Sequence, residues 1–338
     1  LKRALDYIKY KPYWGTGEGV KIAIMDQPTE IKLFPDLNVT PVNYNGSSYN
    51  FPHGTMVLDV CSEIASEAEY YTYPTLVYNI ETQYIKDLED CIKRGVDVVN
   101  MSFSIPPQEV TEDMIEITRE AYKAGIKIVT SSGNTGDRNV RFPGDMDEEV
   151  IAVGAISMDT GEIASYTTRG EYLEILAPSG VWVRDNTGEM TYFRGTSTSS
   201  PIVASSIAVF IETYRKLHGE DPNIEQCRHF LLFDHKMING YPLFEYPDYQ
   251  KFWGVEKPFV GRKAVFQIGN KHLYIYDCSA SEEKLIKEIV MDIAPTLMQS
   301  DKKGYARTMI PLRFAFEAFG LNVEWVPEGK KIIVRKNV

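Results

Sequence analysis

Apolar positions in the first two thirds of the chain fall into two recurring patterns. Short continuous runs rich in Val, Ile and Tyr occupy residues 20–25, 69–76, 96–102, 126–130 and 150–156, and predict buried strands. Between them lie stretches with helical spacing. Val57, Val60, Cys61 and Ile64 repeat at intervals of three and four. Residues 81–94 and 110–124 form two more such stretches, closed by Gly95 and Gly125, a C-terminal helix signal. Alternating strands and helices predict an α/β fold with a mainly parallel sheet covered on both faces.

Further on, the strand-like run 190–193 meets Gly195. Thr-Ser-Thr-Ser-Ser-Pro follows, and then an Ala-rich apolar run to residue 217. Glycine allows a tight turn. Thr196 reads as an N-cap, which puts Ser197 in the first turn of a helix. Free N–H groups and the positive dipole end gather there, which suits an oxygen that must become negative. Pro201 would remove one helical hydrogen bond, for no reason visible in the sequence. A capped helix in a serine-rich segment accounts for the stretch equally well. Residues 223–234 predict one more helix.

Polar residues end several strands, where α/β sheets place their sites. These are Asp26, Ser102 and Asn134. An aspartate that merely starts a turn with Pro28 is the common alternative for Asp26. His53 opens a helix, where it could also be a simple cap. Of the five histidines, His218, His229, His235 and His272 sit in polar or unpatterned surroundings, so His53 is the best candidate for a general base.

Length and composition narrow the picture. A chain of 338 residues has room for two domains. A net charge of −11 argues against nucleic acid or an anionic membrane as partner. No apolar run is long enough to span a bilayer, and the first residues do not read as a signal peptide. A start at leucine is what processing would leave. Cys61, Cys91, Cys227 and Cys278 are widely spaced, which favours buried free thiols over disulfides. No cysteine or histidine pair has zinc spacing.

The order of these segments resembles the subtilisin-like serine proteases. The likeness is carried by residues 20–26, by His53-Gly54-Thr55, by Ser132-Gly133-Asn134 and by Gly195-Thr196-Ser197 with Pro201. The strands at 97–102 and 150–156 support it, and it covers roughly residues 8–235. It implies a three-layer fold in which Ser197 is the nucleophile, His53 the base, Asp26 its orienting acid and Asn134 the oxyanion donor. It also implies a peptide bound as an extended strand, with Ser102-Phe103-Ser104 and Ser131-Ser132-Gly133 walling the pocket before the cleaved bond. Aligning Phe142-Pro143 with the family's aromatic-Pro pair puts Arg141 at the base of that pocket, where it would favour an acidic residue. A solvated loop arginine is the alternative.

Departures from the family pattern are clear. Asp26-Gln27-Pro28 replaces Asp-Thr-Gly or Asp-Ser-Gly. Met56 replaces a second histidine, Thr198-Ser199 replaces Met-Ala, and Ser104 stands where glycine is usual. No cofactor is expected for catalysis. The loop that holds a tight calcium in many members is missing, because residues 64–70 run directly from helix to strand. Asp145, Asp147, Glu148 and Glu149 have the ligand chemistry for a structural calcium, but a solvated acidic loop explains them as well.

Residues 238–261, rich in Tyr, Pro, Phe and Gly, read as a linker packing on the surface of a protease domain at 1–237. Residues 262–338 then form a small α+β unit, with strands at 264–268 and 273–276, a helix at 308–320, and a hairpin at 321–325 and 331–334. Ala294-Pro295, residues 307–313, Ala318-Phe319-Gly320 and Val323-Glu324-Trp325 resemble the copper amine oxidase N-terminal-like, or stalk, domain. Copper does not follow, because His272 has no partner at ligand spacing. The resemblance implies a docking or self-associating appendage. It points outside the cell, to an extracellular or cell-surface location; the alternative is an intracellular or phage-encoded enzyme, which the acidic charge and unpaired cysteines would also suit. The leading expectation is a serine endopeptidase. The alternatives are a weakly active subtilase fold that binds peptides, and a surface-interaction protein dominated by its C-terminal unit.

Overall fold

The computed structural model describes residues 1–42, 52–77 and 79–254, together with the backbone of the strands between 262 and 335. Contacts divide the chain into two compact units, Leu1–Val255 and Glu256–Val338.

The first unit is built on one nine-stranded sheet. Its strands are β1 (Lys21–Met25), β2 (Asn38–Pro41), β3 (Glu69–Tyr73), β4 (Val98–Met101), β5 (Lys127–Ser131), β6 (Val150–Ser157) and β7 (Ile175–Ser179), with the pair β10 (Lys236–Ile238) and β11 (Tyr241–Leu243) at one edge. The order is β10-β11-β7-β6-β5-β4-β1-β3-β2. Every neighbouring pair is parallel except β10–β11. A separate ribbon, β8 (Val181–Arg184) with β9 (Met190–Phe193), leads into the long helix.

Helices cover both faces: α1 (Lys2–Tyr7), α2 (His53–Ser62), α3 (Ile80–Arg94), α4 (Glu112–Lys123), α5 (Thr196–His218), α6 (Ile224–Leu232) and α7 (Tyr249–Trp253). The period-two alternation of the strands sorts side chains between the layers. Ile22 and Ile24 face α2 and α5, among Val57, Cys61, Ile202 and Val203. Ala23 and Met25 face α3 and α4, among Leu88, Cys91, Met114 and Ala121. The buried strands read as continuous apolar runs because both faces are covered. Cys61, Cys91 and Cys227 are buried free thiols.

Two boundaries differ from the sequence expectation. Residues 238–253 are part of the first unit rather than a surface linker. Phe244, Tyr246 and Tyr249 are buried, and Trp14 meets Tyr246, Tyr249 and Phe230 at ring distances of 5.3, 4.9 and 5.5 Å. Aromatic burial of this size fixes a segment to its domain whatever its proline and glycine content. Helix α5 begins one residue earlier than expected: Gly195 is the N-cap and Thr196 the first helical residue.

The second unit pairs β12 (Arg262–Gln267), β13 (His272–Asp277), β14 (Lys284–Val290), β17 (Asn322–Val326) and β18 (Lys331–Arg335) in the order β14-β13-β12-β18-β17, antiparallel throughout. The expected C-terminal hairpin is the β17–β18 pair. β15 (Thr296–Gln299) pairs with β16 (Ala306–Met309). Thr308 and Met309, expected to open a helix, extend this ladder opposite Leu297 and Thr296, where strand pairing satisfies their backbone. The rest of that expected helix, and Cys278, lie outside the described residues.

Candidate active site

Parallel order brings the ends of β1, β4 and β5 to one edge of the sheet, and the starts of α2 and α5 meet them there. Asp26 follows β1 and is fully buried. Its Oδ1 accepts the backbone N–H of Gln27 at 2.6 Å and lies 2.7 Å from His53 Nδ1. Asp26 Oδ2 is buried with no hydrogen-bond partner among the described residues, where the Asp26–His53 contact is the main compensation for this carboxylate. Gly54 lets α2 approach closely. A Cβ there would stand 2.1 Å from the Gln27 carbonyl oxygen.

Two opposing effects set the proton affinity of His53. Burial lowers it, but the charge of Asp26 and the hydrogen bond to it raise it further, so the net shift is upward from 6.5. The ring also packs edge-on against Phe193 at 5.3 Å. Phe193 is held there by its ribbon, which Arg184 pins to α2 through Asp59 at 2.7 Å.

Ser197 lies in the first turn of α5, 7% exposed. Its hydroxyl donates to the Ser102 carbonyl at 3.0 Å, and the Ser102 hydroxyl donates to the Ser197 carbonyl at 3.2 Å. No hydrogen bond joins Ser197 to His53 among the described residues. A buried network continues behind this pair. Asn100 Nδ2 donates to Ser102 Oγ at 3.0 Å, and Ser200 Oγ donates to Asn100 Oδ1 at 2.6 Å.

Asn134 follows β5 and is exposed. Its Oδ1 accepts from Thr196 N at 2.9 Å and from Thr196 Oγ1 at 3.1 Å. Asn134 thus caps α5 from another element, the role the sequence suggests for Thr196. Its Nδ2 makes no hydrogen bond among the described residues and lies 3.3 Å from where a Cβ on Gly195 would stand. Gly195 has φ +121°, open to glycine and strained for other residues.

The segments expected to bind substrate leave adjacent strands, β4 and β5. Ser102, Ser131 and Ser132 are buried. The Phe103 carbonyl accepts from Thr130 Oγ1 at 3.1 Å. Phe103 and Ser104 line a small pocket with Leu76, Ile80, Ile105 and Pro106, and Glu109 completes its lining. Arg141 is not a free charge: its guanidinium lies 3.1 Å from Asp137 Oδ2 and 3.4 Å from Thr135 Oγ1. In the acidic loop, Glu149 pairs with Arg119 at 3.4 Å, and Arg228 donates to the Asp147 and Glu148 carbonyls. Among the described residues no group of three or more His, Cys, Asp or Glu is placed to hold a metal ion.

Sequence reading alone did not single out Asn100 or Phe193. Asn100 carried the clearest signal, as an amide in the middle of an apolar buried strand.

The profile of the Subtilase family matches residues 64–233, and that of the Copper amine oxidase N-terminal domain matches residues 286–338. The chain is 29% identical to subtilisin DY of Bacillus licheniformis over 227 residues, 60% of this chain and 80% of that protein. It is 28% identical to a thermostable alkaline protease of Halalkalibacterium halodurans over 221 residues, 59% of this chain and 58% of that protein. The fold matches a crystal structure of a lanthipeptide protease with a TM-score of 0.61 at 22% identity, over 72% of this chain and 93% of that one.

Proposed function

This chain belongs to the subtilase family and is a subtilisin-like serine peptidase, and we propose that Ser197, His53, Asp26 and Asn134 form its catalytic apparatus. The observation that carries this reading is the 2.7 Å contact between His53 Nδ1 and a fully buried Asp26. An aspartate held there fixes the tautomer that leaves Nε2 free to accept a proton, and stabilises the imidazolium that results.

Ser197 Oγ would swing from the Ser102 carbonyl toward His53 Nε2 and attack a peptide carbonyl carbon. His53 takes the hydroxyl proton and gives it to the leaving amine as the C–N bond breaks. Water then attacks the acyl-enzyme, His53 again moving the proton, which releases the carboxylic acid and restores Ser197. Asn134 Nδ2 and the Ser197 N–H at the start of α5 would hold the oxyanion. The peptide would lie as an extended strand between residues 102–104 and 131–133.

An acidic preference through Arg141 is a weaker part of this reading, because a substrate carboxylate must compete with Asp137. Comparing cleavage after Glu with cleavage after Phe tests it, and equal rates end it. For the C-terminal unit we propose a non-catalytic docking or self-associating role.

A second reading draws on the hydrogen bond of Ser197 to Ser102 rather than to His53: a subtilase fold that binds peptides and hardly cleaves them. Fluorophosphonate labelling of the wild type and Ser197→Ala separates the two. Labelling of the wild type alone supports the peptidase apparatus. No labelling of either supports the binding protein.

A further inference from the structure

Ser104 and Gly133 face one another from the loops that leave β4 and β5. Gly133 has φ +107°, and a Cβ there would meet Thr168 Oγ1 at 2.9 Å and Ser104 Oγ at 4.0 Å. Allowing about 1.5 Å for a carbon–carbon bond, Ser104 Oγ is no more than about 5.5 Å from Gly133 Cα. A planar ring needs roughly 3.5–4.0 Å to the atoms on each of its faces, or about 7–8 Å from wall to wall.

The glycine wall is held in place. Thr168 N donates to the Gly133 carbonyl at 2.9 Å, and Thr168 Oγ1 is bound by Thr135 N at 3.2 Å and lies 2.9 Å from Thr135 Oγ1. The Ser104 hydroxyl makes no hydrogen bond among the described residues, so it is available to a substrate as donor or acceptor.

We infer that the slot between Ser104 and Gly133 restricts the residue before the cleaved bond to a small side chain of alanine or serine size, and that Ser104 sets this limit. The inference rests on the reading of Ser197 as nucleophile and of residues 102–104 and 131–133 as the pocket walls, and it stands against the acidic preference through Arg141, because a glutamate side chain is larger than the slot admits. Ser104 acts by shape: its Oγ occupies space that a glycine would leave open, and a ring could enter only by displacing it.

The test uses two peptidyl diphenyl phosphonates that differ only in carrying Ala or Phe at that position, beside a simple fluorophosphonate with no peptide. With the full chain, the Ala probe should label Ser197 faster than the Phe probe by about tenfold or more. Ser104→Gly should raise the Phe/Ala ratio by a similar factor, and Ser104→Thr, one methyl larger, should lower it. Fluorophosphonate labelling together with equal Ala and Phe rates overturns the slot and leaves the catalytic reading standing. Failure of all three probes overturns both. If Ser104→Gly does not fold, Ser104→Thr against wild type still decides, and an unchanged ratio there counts against the inference.

Discussion

Ser197 and Ser102 exchange hydrogen bonds: the Ser197 hydroxyl reaches the Ser102 carbonyl at 3.0 Å, and the Ser102 hydroxyl reaches the Ser197 carbonyl at 3.2 Å. Pro201 gives the reason. It stands four residues after Ser197 within α5 and has no N–H to give to the Ser197 carbonyl. The Ser102 hydroxyl supplies the missing donor, which ties the first turn of α5 to the end of β4.

Ser102→Ala should therefore destabilise the fold by about 1–3 kcal/mol, since a buried carbonyl loses its donor. Pro201→Ala restores an N–H and should recover part of that loss. A double-mutant cycle read by denaturant unfolding should show a coupling of at least about 0.5 kcal/mol. Additive effects would remove this account of Pro201.

The raised proton affinity of His53 sets a pH dependence. As the proposed base, His53 must be neutral, so the acid limb of kcat/KM should fall above 6.5. Asp26→Asn should move that limb to lower pH and slow the reaction. For stability the sign is opposite. A group whose affinity is raised on folding stabilises fully below its unfolded value near 6.5, and that contribution is lost as pH rises through the folded value. Rate and melting profiles against pH check both. An acid limb below 6.5 would contradict the buried Asp26–His53 pair.

Asn134 caps α5 and, in the proposed mechanism, also holds the oxyanion; different substitutions separate the two. Asn134→Asp keeps an acceptor for Thr196 N but loses the Nδ2 donor. It should fold normally and lose about 10²–10³ in kcat with little change in KM, the size of effect known for subtilisin itself. Asn134→Ala should lose similar activity and also lower the melting temperature, because α5 loses its cap. Equal melting temperatures for the two variants would show that the cap is unimportant.

Gly54→Ala should displace the Asp26–Gln27 loop, since its Cβ would stand 2.1 Å from the Gln27 carbonyl oxygen. The expected cost is about 1–3 kcal/mol, together with loss of fluorophosphonate labelling. A variant that labels at the wild-type rate would mean that the helix can retreat without moving His53.

A chain ending at Val255 should fold and label with fluorophosphonate, whereas one ending at residue 237 should not fold. The shorter chain lacks Phe244, Tyr246 and Tyr249, which pack in the core that holds Trp14 and Phe230. Circular dichroism of the two truncations checks this. A well-folded 1–237 would return residues 238–253 to the status of a linker.

Local and periodic signals were enough for much of this protein. Continuous apolar runs at β1, β4, β5 and β6, and helical spacing closed by Gly95 and Gly125, are properties of short segments, so the α/β pattern is legible in the chain. The position of Asp26 at a strand end and of His53 and Ser197 at helix starts is legible for the same reason. Relations between distant segments decided the rest. The cap of α5 comes from Asn134, 62 residues away, Arg141 is paired with Asp137, and Ser104 faces Gly133 from a separate loop. The aromatic residues of 238–253 look like linker composition until Trp14 is brought against them. Sequence determines which groups are present and their local conformation. Burial, tertiary partners and wall-to-wall distances exist only once the parallel sheet has brought its strand ends together.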